Sequence, residues 1–180
     1  MFGAGPQALG HVAALRAVLP GLERATVVAR RPGPAGEAAA YAAGLGPAAA
    51  VGGPEAVAGA DLVVCCTTAR TPLFDGRLVP DRAAVAAVGS HEPDAREVDA
   101  RLVDRAGALR EAGDLLMAGA GPERLVNPVE LVTGGVAVRH DRPRLFKSVG
   151  TAWQDLAVAT TPYARRAVPG PGPTAVAAAG

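Results

Sequence analysis

"MFGAGPQALGHVAALRAVL", residues 1–19, places Gly3, Gly5 and Ala8 directly ahead of a helical pattern. The form is GxGxxA. Its first glycine permits a tight turn, its second lets the backbone approach a phosphate, and the small third residue allows close helix–strand packing. Pro6 suits the first helical position, where a missing N–H is no loss. The N–H groups of Gln7 and Ala8 are then free to face phosphate oxygens at the positive end of the helix. Ala8, Val12, Leu15 and Leu19 recur at helical spacing, and Pro20-Gly21 stops the helix. The competing reading is an ordinary loop in a chain that holds 23 glycines. A turn of this kind normally leaves a buried strand, yet only Met1 and Phe2 precede Gly3. The first strand is therefore expected to be absent, with Phe2 as its last residue.

Working outward, "ATVVAR" (25–30) reads as a short buried strand and "GEAAAYAAGLG" (36–46) as a helix. "ADLVVCCTT" (60–68) is the strongest strand, apolar on both faces as parallel strands are. "AAVAAVGS" (83–90) is another strand, and "DAREVDARLVDRA" (94–106) a helix after it. "PVELVTG" (128–134) reads as helical, "RLFKS" (144–148) as a final strand and "GTAWQDLAVAT" (150–160) as a closing helix. This alternation predicts an α/β fold: a Rossmann-type, doubly wound, mostly parallel sheet, incomplete because its first strand is absent. Such sheets bind ligands beyond their strand C-termini, where Arg30, Thr67 and Gly89 fall.

Length and composition bound the rest. At 180 residues the chain fits one domain, expected over 1–160, with a disordered Pro/Gly/Ala-rich tail over 161–180. The net charge of +1 gives no reason to expect nucleic acid as a partner. No apolar run reaches the roughly 18 residues of a membrane span, and no secretory signal opens the chain. Adjacent Cys65 and Cys66 read as core residues of a reduced, cytoplasmic protein.

The second strand bears on which dinucleotide is bound. An acidic residue at that strand's end would accept hydrogen bonds from the adenosine ribose. Glu23 has nearly the right spacing but precedes the strand. Arg30 and Arg31 stand at the end instead, and a guanidinium there pairs with a 2′-phosphate. NADP(H) is thus favoured over NAD(H). The competing reading is two solvated surface arginines. Among the three histidines only His91, in "VGSHEP" past a strand end, is placed for chemistry, unless it merely faces solvent. No spacing suggests a zinc site or a hydrolytic triad.

"FGAGPQA", "ADLVVCCTTARTPLFDG", "AVGSHEPDAREVD", "EAGDLL", "ELVTGG" and "FKSVGTAWQDLAVA" occur in an order that resembles the ornithine cyclodeaminase/mu-crystallin family, from Phe2 to about Thr160. The VGS…P…REVD and FKSVG…QDLA blocks are the most specific. The resemblance implies a homodimeric, two-domain plan, with a Rossmann domain for NAD or NADP and a substrate domain built mostly from the N-terminal part of the chain. It implies hydride transfer through an imine, in cyclodeamination of ornithine, amino-acid dehydrogenation or reduction of cyclic ketimines. By position, Gly3, Gly5, Gln7 and Ala8 would line the pyrophosphate and Arg30 would meet the ribose phosphate. Thr67 with Val88-Gly89 would run along the cofactor, and Ser148 and Gly150 would lie near the nicotinamide end.

Three departures narrow these expectations. His91 stands where ornithine-acting members carry aspartate, which points to an imino- or amino-acid reductase or dehydrogenase; histidine can still shuttle a proton near neutral pH. "RLVDRAGALREAGDLL" runs straight from the REVD block to "EAGDL", where the family usually has a strand; either the helix continues without it or an internal deletion weakens one side of the sheet. The N-terminal substrate domain, with its carboxylate-gripping Arg and Lys residues and the dimer surface, has no counterpart in this chain. The alternatives to an enzyme portion are a non-catalytic NADPH-binding protein of the mu-crystallin type and an inactive truncated product.

Overall fold

The computed structural model describes residues 1–89, 92–99, 130, 133–138, 140–148, 150, 155, 156 and 158–160. The chain divides into two units, 1–149 and 150–180. The expected elements over 101–129 and the tail from 161 lie outside the described residues.

In the first unit, helix α1 (Pro6–Val18) leads to strand β1 (Arg24–Val27), helix α2 (Pro32–Gly44) and strand β2 (Ala48–Val51). Strands β3 (Leu62–Cys65), β4 (Ala84–Ala87) and β5 (Arg144–Lys147) follow. Every pairing is parallel: β1 with β2, β3 with β4, and β4 with β5. Phe2 joins the two groups, because it forms parallel bridges to Val28 and to Cys65. The order across the sheet is therefore β2–β1–Phe2–β3–β4–β5. The central position, where Phe2 was expected as the last residue of a strand, is held by Met1–Gly3. Phe2 N–H donates to the Val64 carbonyl at 2.7 Å and Cys66 N–H to the Phe2 carbonyl at 2.8 Å. On the other side Val28 N–H donates to the Met1 carbonyl at 2.8 Å.

The sheet needs little side-chain bulk to pack. Ala35, Ala38, Ala39 and Ala42 form the buried stripe of α2, at i, i+3, i+4 and i+7. Three of them pack with Val27 of β1 in one apolar cluster. A second cluster gathers Phe2, Val63, Cys65, Phe74, Val85 and Leu145 among its members. Within it the Phe2 and Phe74 rings lie 5.0 Å apart, tilted by 39°.

Four differences from the sequence reading have physical causes. The second helix begins at Pro32 instead of 36, since Pro32 and Pro34 occupy its first turn, where no N–H is required. β2 went unread because "AAAV" has weak strand propensity; its pairing with β1 decides it. The strands expected over 25–30, 60–68 and 83–90 each have four ladder residues; beyond β1 Val28 keeps only its bridge to Phe2. The described part of the expected helix at 94–106, residues 94–99, is not helical. Glu97 and Asp99 both turn toward backbone amides of the loops they face. Residues two apart on a helix do not share a face, so a helix could not make both contacts.

In the second unit, residues 155, 156 and 158–160 are helical and exposed, within the span expected for a closing helix.

Candidate functional site: the glycine turn and the strand ends

The turn that opens α1 is clamped between β1 and β3. Gly3 N–H donates to the Val28 carbonyl at 2.9 Å. Gly3 has φ +109°, and a Cβ there would lie 2.6 Å from the Cys66 carbonyl oxygen. A glycine is required here twice over, for conformation and for space. Gly5 differs. It is the N-cap of α1 in extended geometry, and a Cβ on it would meet no protein atom within 4 Å. The space beside it is open.

Pro6 begins the helix, no side chain caps it, and its first turn holds no acidic residue. Leu9 N–H donates to the Gly5 carbonyl at 3.2 Å, which leaves the N–H groups of Gln7 and Ala8 as the donors at the helix end without a backbone partner among the described residues. An open face at Gly5, two unspent amides and a positive helix end fit a bound phosphate.

The other strand ends converge on the same edge. Arg30 and Arg31 follow β1, two and three residues beyond the Val28 that holds Gly3. Both are exposed, and neither forms an ion pair among the described residues. Arg31 is the N-cap of α2 in extended geometry. Glu23 lies at the opposite end of β1, where its carbonyl accepts from Ala48 N–H at 2.8 Å. Val88 N–H donates to the Cys65 carbonyl at 3.0 Å, and Ser148 N–H to the Ala87 carbonyl at 3.3 Å. Thr67, Val88, Gly89 and Ser148 are thereby brought side by side. His91 lies outside the described residues. Gly150, in the second unit, is exposed with φ +74°, in the left-handed region.

One residue that organises this edge escaped the sequence reading. Glu97 is fully buried, and its carboxylate joins the ends of β3 and β4. Oε1 accepts from Thr67 N–H at 2.7 Å and from Thr67 Oγ1 at 2.8 Å, while Oε2 accepts from Gly89 N–H at 2.7 Å. The Thr67 hydroxyl, which also accepts from Ala69 N–H at 3.2 Å, is thus committed to the protein. A Cβ on Gly89 would overlap the Thr67 carbonyl, so Gly89 allows the two ends to touch. The same strap, residues 92–99, is pinned again by Asp99 to Gly76 N–H at 2.7 Å and by Arg70 to Glu92 and Asp94. The signal available in the sequence was an acidic residue on either side of Val98, within the stretch read as a helix over 94–106.

Cys66 sits where β3 meets the turn, its Sγ 3.6 Å from His11 Nδ1. Burial pushes its thiol up to about 11, with the nearby Glu97 carboxylate adding to the shift. It is a neutral thiol at ordinary pH. Among the described residues no group of three His, Cys, Asp or Glu side chains could hold a metal ion, and no helix is long and apolar enough to cross a membrane.

A parallel sheet in this order, with a glycine turn opening a helix from its central position, defines a Rossmann-type nucleotide-binding fold. Residues 1–167 match the ornithine cyclodeaminase/mu-crystallin family, and the chain belongs to it. It is 38% identical over 181 aligned positions to Delta(1)-pyrroline-2-carboxylate reductase 2 of Burkholderia ambifaria, covering 89% of this chain and 53% of that one. It is 35% identical over 117 positions to the ketimine reductase mu-crystallin of Mus musculus, covering 61% and 37%. The Thermococcus litoralis Delta(1)-pyrroline-2-carboxylate reductase, solved with NADH and L-proline, superposes with a TM-score of 0.81 at 29% identity, over 91% of this chain and 56% of that one. The chain thus spans about half the length of the first of these relatives.

Proposed function

We propose that residues 1–160 form the dinucleotide-binding part of an NAD(P)-dependent reductase of cyclic imino acids, with NADP(H) preferred. The observation that carries this reading is the glycine turn: Gly5 faces open space beside the unpartnered amides of Gln7 and Ala8. Those amides hold the pyrophosphate by hydrogen bonds that the helix end strengthens. Arg30, with Arg31 beside it, pairs with the 2′-phosphate through a charge-assisted contact. Thr67, Val88 and Gly89 form the floor under the cofactor's far half, held in shape by Glu97. Ser148 and Gly150 are assigned to the nicotinamide end. The dinucleotide, when bound, supplies the hydride that reduces the imine carbon.

His91 is assigned to proton handling, since imidazole changes charge near neutral pH. The relatives named as pyrroline-2-carboxylate and ketimine reductases support a small cyclic ketimine as substrate of the whole protein. A homodimer in the cytoplasm is the setting this reading implies.

Titration calorimetry with NADPH and NADH tests the cofactor assignment. NADPH is expected to bind at least about tenfold more tightly, as one charge-assisted contact worth about 1.4 kcal/mol would give. Arg30→Ala is expected to remove the difference. Equal binding of both cofactors, or binding of neither, overturns the assignment.

A further inference from the structure

Helix α1 has a second feature, which a phosphate at its N-terminus does not use. Its flank holds a hollow of about 390 Å³, lined by Pro6, Gln7, Gly10, His11 and Ala14. Gly10 stands in the interior of the helix, where glycine is a poor helix former. No packing contact calls for it, since a Cβ on Gly10 would meet no atom within 4 Å. Gly10 and Ala14, one turn apart, instead keep the floor of the hollow low and apolar.

The rim is polar, and His11 sets its chemistry. His11 Nδ1 lies 2.8 Å from the Gln7 carbonyl, one turn earlier in the helix. A carbonyl can only accept, so Nδ1 carries a proton and donates it. The Cys66 sulfur, 3.6 Å from the same nitrogen, holds the ring from the side of β3. Both contacts use Nδ1. His11 Nε2 has no hydrogen-bond partner among the described residues, and in the neutral ring it is an acceptor. The side-chain amide of Gln7, exposed on the same rim, supplies N–H donors.

The Cys66 contact also fixes which way the hollow faces. Cys66 follows β3 and precedes Thr67, so it lies across the central Phe2 from β1 and Arg30. A dinucleotide held at Gln7 and Ala8, with its 2′-phosphate toward Arg30, sends its other half to this flank.

We propose that the hollow seats the nicotinamide ring, and that His11 and Gln7 are positioning residues that fix its orientation through the carboxamide. The assignment rests on the dinucleotide reading of the glycine turn. A carboxamide needs an acceptor for its NH2 group and a donor for its carbonyl; His11 Nε2 is the acceptor and the Gln7 side chain the donor. The flat ring covers Gly10 and Ala14, where any larger side chain would displace it. With both edge contacts made, the ring cannot turn about its bond to the ribose, so one face is presented to the substrate.

The test uses the chain as it stands, with calorimetry and histidine side-chain NMR. Three ligands are compared: NADPH, its 3-acetylpyridine analogue, and 2′-phospho-ADP-ribose. The analogue keeps the carbonyl but has a methyl in place of the NH2 donor, and the third ligand lacks the ring. NADPH is expected to bind about fivefold or more tightly than either, as the loss of one hydrogen bond predicts. It is expected to shift the His11 ring resonances, which 2′-phospho-ADP-ribose leaves in place. His11→Phe is expected to reduce NADPH to the affinity of the analogue, with 2′-phospho-ADP-ribose unaffected. Gly10→Leu is expected to raise Tm, because leucine is the better helix former, yet to bring NADPH down to the affinity of 2′-phospho-ADP-ribose. NADPH that binds no better than the analogue, or that leaves the His11 ring unmoved, overturns the proposal while the phosphate site stands. Parent-like NADPH binding by Gly10→Leu overturns it equally. If none of the three ligands binds, the dinucleotide reading itself fails and takes the proposal with it.

Discussion

Replacing Glu97 by glutamine tests the idea that one buried carboxylate holds the strand ends in shape. Among its hydrogen bonds the carboxylate accepts two from Thr67 and one from Gly89. A glutamine can keep the Thr67 pair on its carbonyl oxygen, but its amino group then points a donor at the Gly89 donor. One bond to a charged acceptor, worth about 1.5–3 kcal/mol, is lost, and a buried amide is left without a partner. The two costs overlap, and together they come to roughly 2–4 kcal/mol against a total margin of about 5–15 kcal/mol. For a domain of this size that is a fall in Tm of roughly 4–16 °C. Thermal unfolding by circular dichroism measures it, with the exposed Glu37→Gln as the neutral control. Hydrogen exchange supplies the local readout: Gly89 loses protection, whereas Val88, bonded to the Cys65 carbonyl, keeps it. A Tm within about 1 °C of the parent, or protection retained at Gly89, refutes the reasoning.

Other consequences follow from the same geometry. Gly3→Ala is expected to destabilise by more than about 2 kcal/mol in denaturant unfolding, since it combines a left-handed φ with a Cβ 2.6 Å from the Cys66 carbonyl. Gly5→Ala is expected to cost well under about 1 kcal/mol of stability, yet to weaken dinucleotide binding, because its methyl group enters only the open space. Stability should peak near pH 8–9. Burial lowers the Met1 α-ammonium pKa below its ordinary 8.0, so the unfolded state binds that proton more tightly and stability rises as pH climbs toward 8.0. The Cys66 thiol is raised from 9.0 to about 11, so the folded state holds that proton more tightly and stability falls across that interval. A Tm series from pH 6 to 11 checks both limbs, and Cys66→Ala should flatten the alkaline one. Iodoacetamide should modify Cys66 slowly at pH 8, and faster in Glu97→Gln, where a charge that raises its pKa is gone.

The parts of the fold legible in the sequence were those with a local cause. Pro6 after two glycines marks a helix start whatever surrounds it, and "LVVC" is a strand by composition alone. β2 was not legible, since three alanines and a valine become a strand only when β1 supplies the ladder. The role of Glu97 was hidden for a similar reason. Its partners, Thr67 and Gly89, are 30 and 8 residues away in sequence, and nothing local distinguishes an acid that caps backbone amides from one on a solvated helix face. The sequence reading had the strand-end positions of Thr67 and Gly89 but not what holds them together. It also named Phe2 as the last residue of the central strand, but not that two bridges suffice for Phe2 to join the halves of the sheet.

The central claim is that a dinucleotide phosphate binds at the N-terminus of α1. The most direct measurement is the amide NMR spectrum of isotope-labelled chain titrated with NADPH. The account predicts the largest shifts at Gln7 and Ala8, with Gly3 and Gly5 beside them. NADPH that leaves those amides unmoved, or that shifts only residues at the opposite end of the sheet, contradicts it.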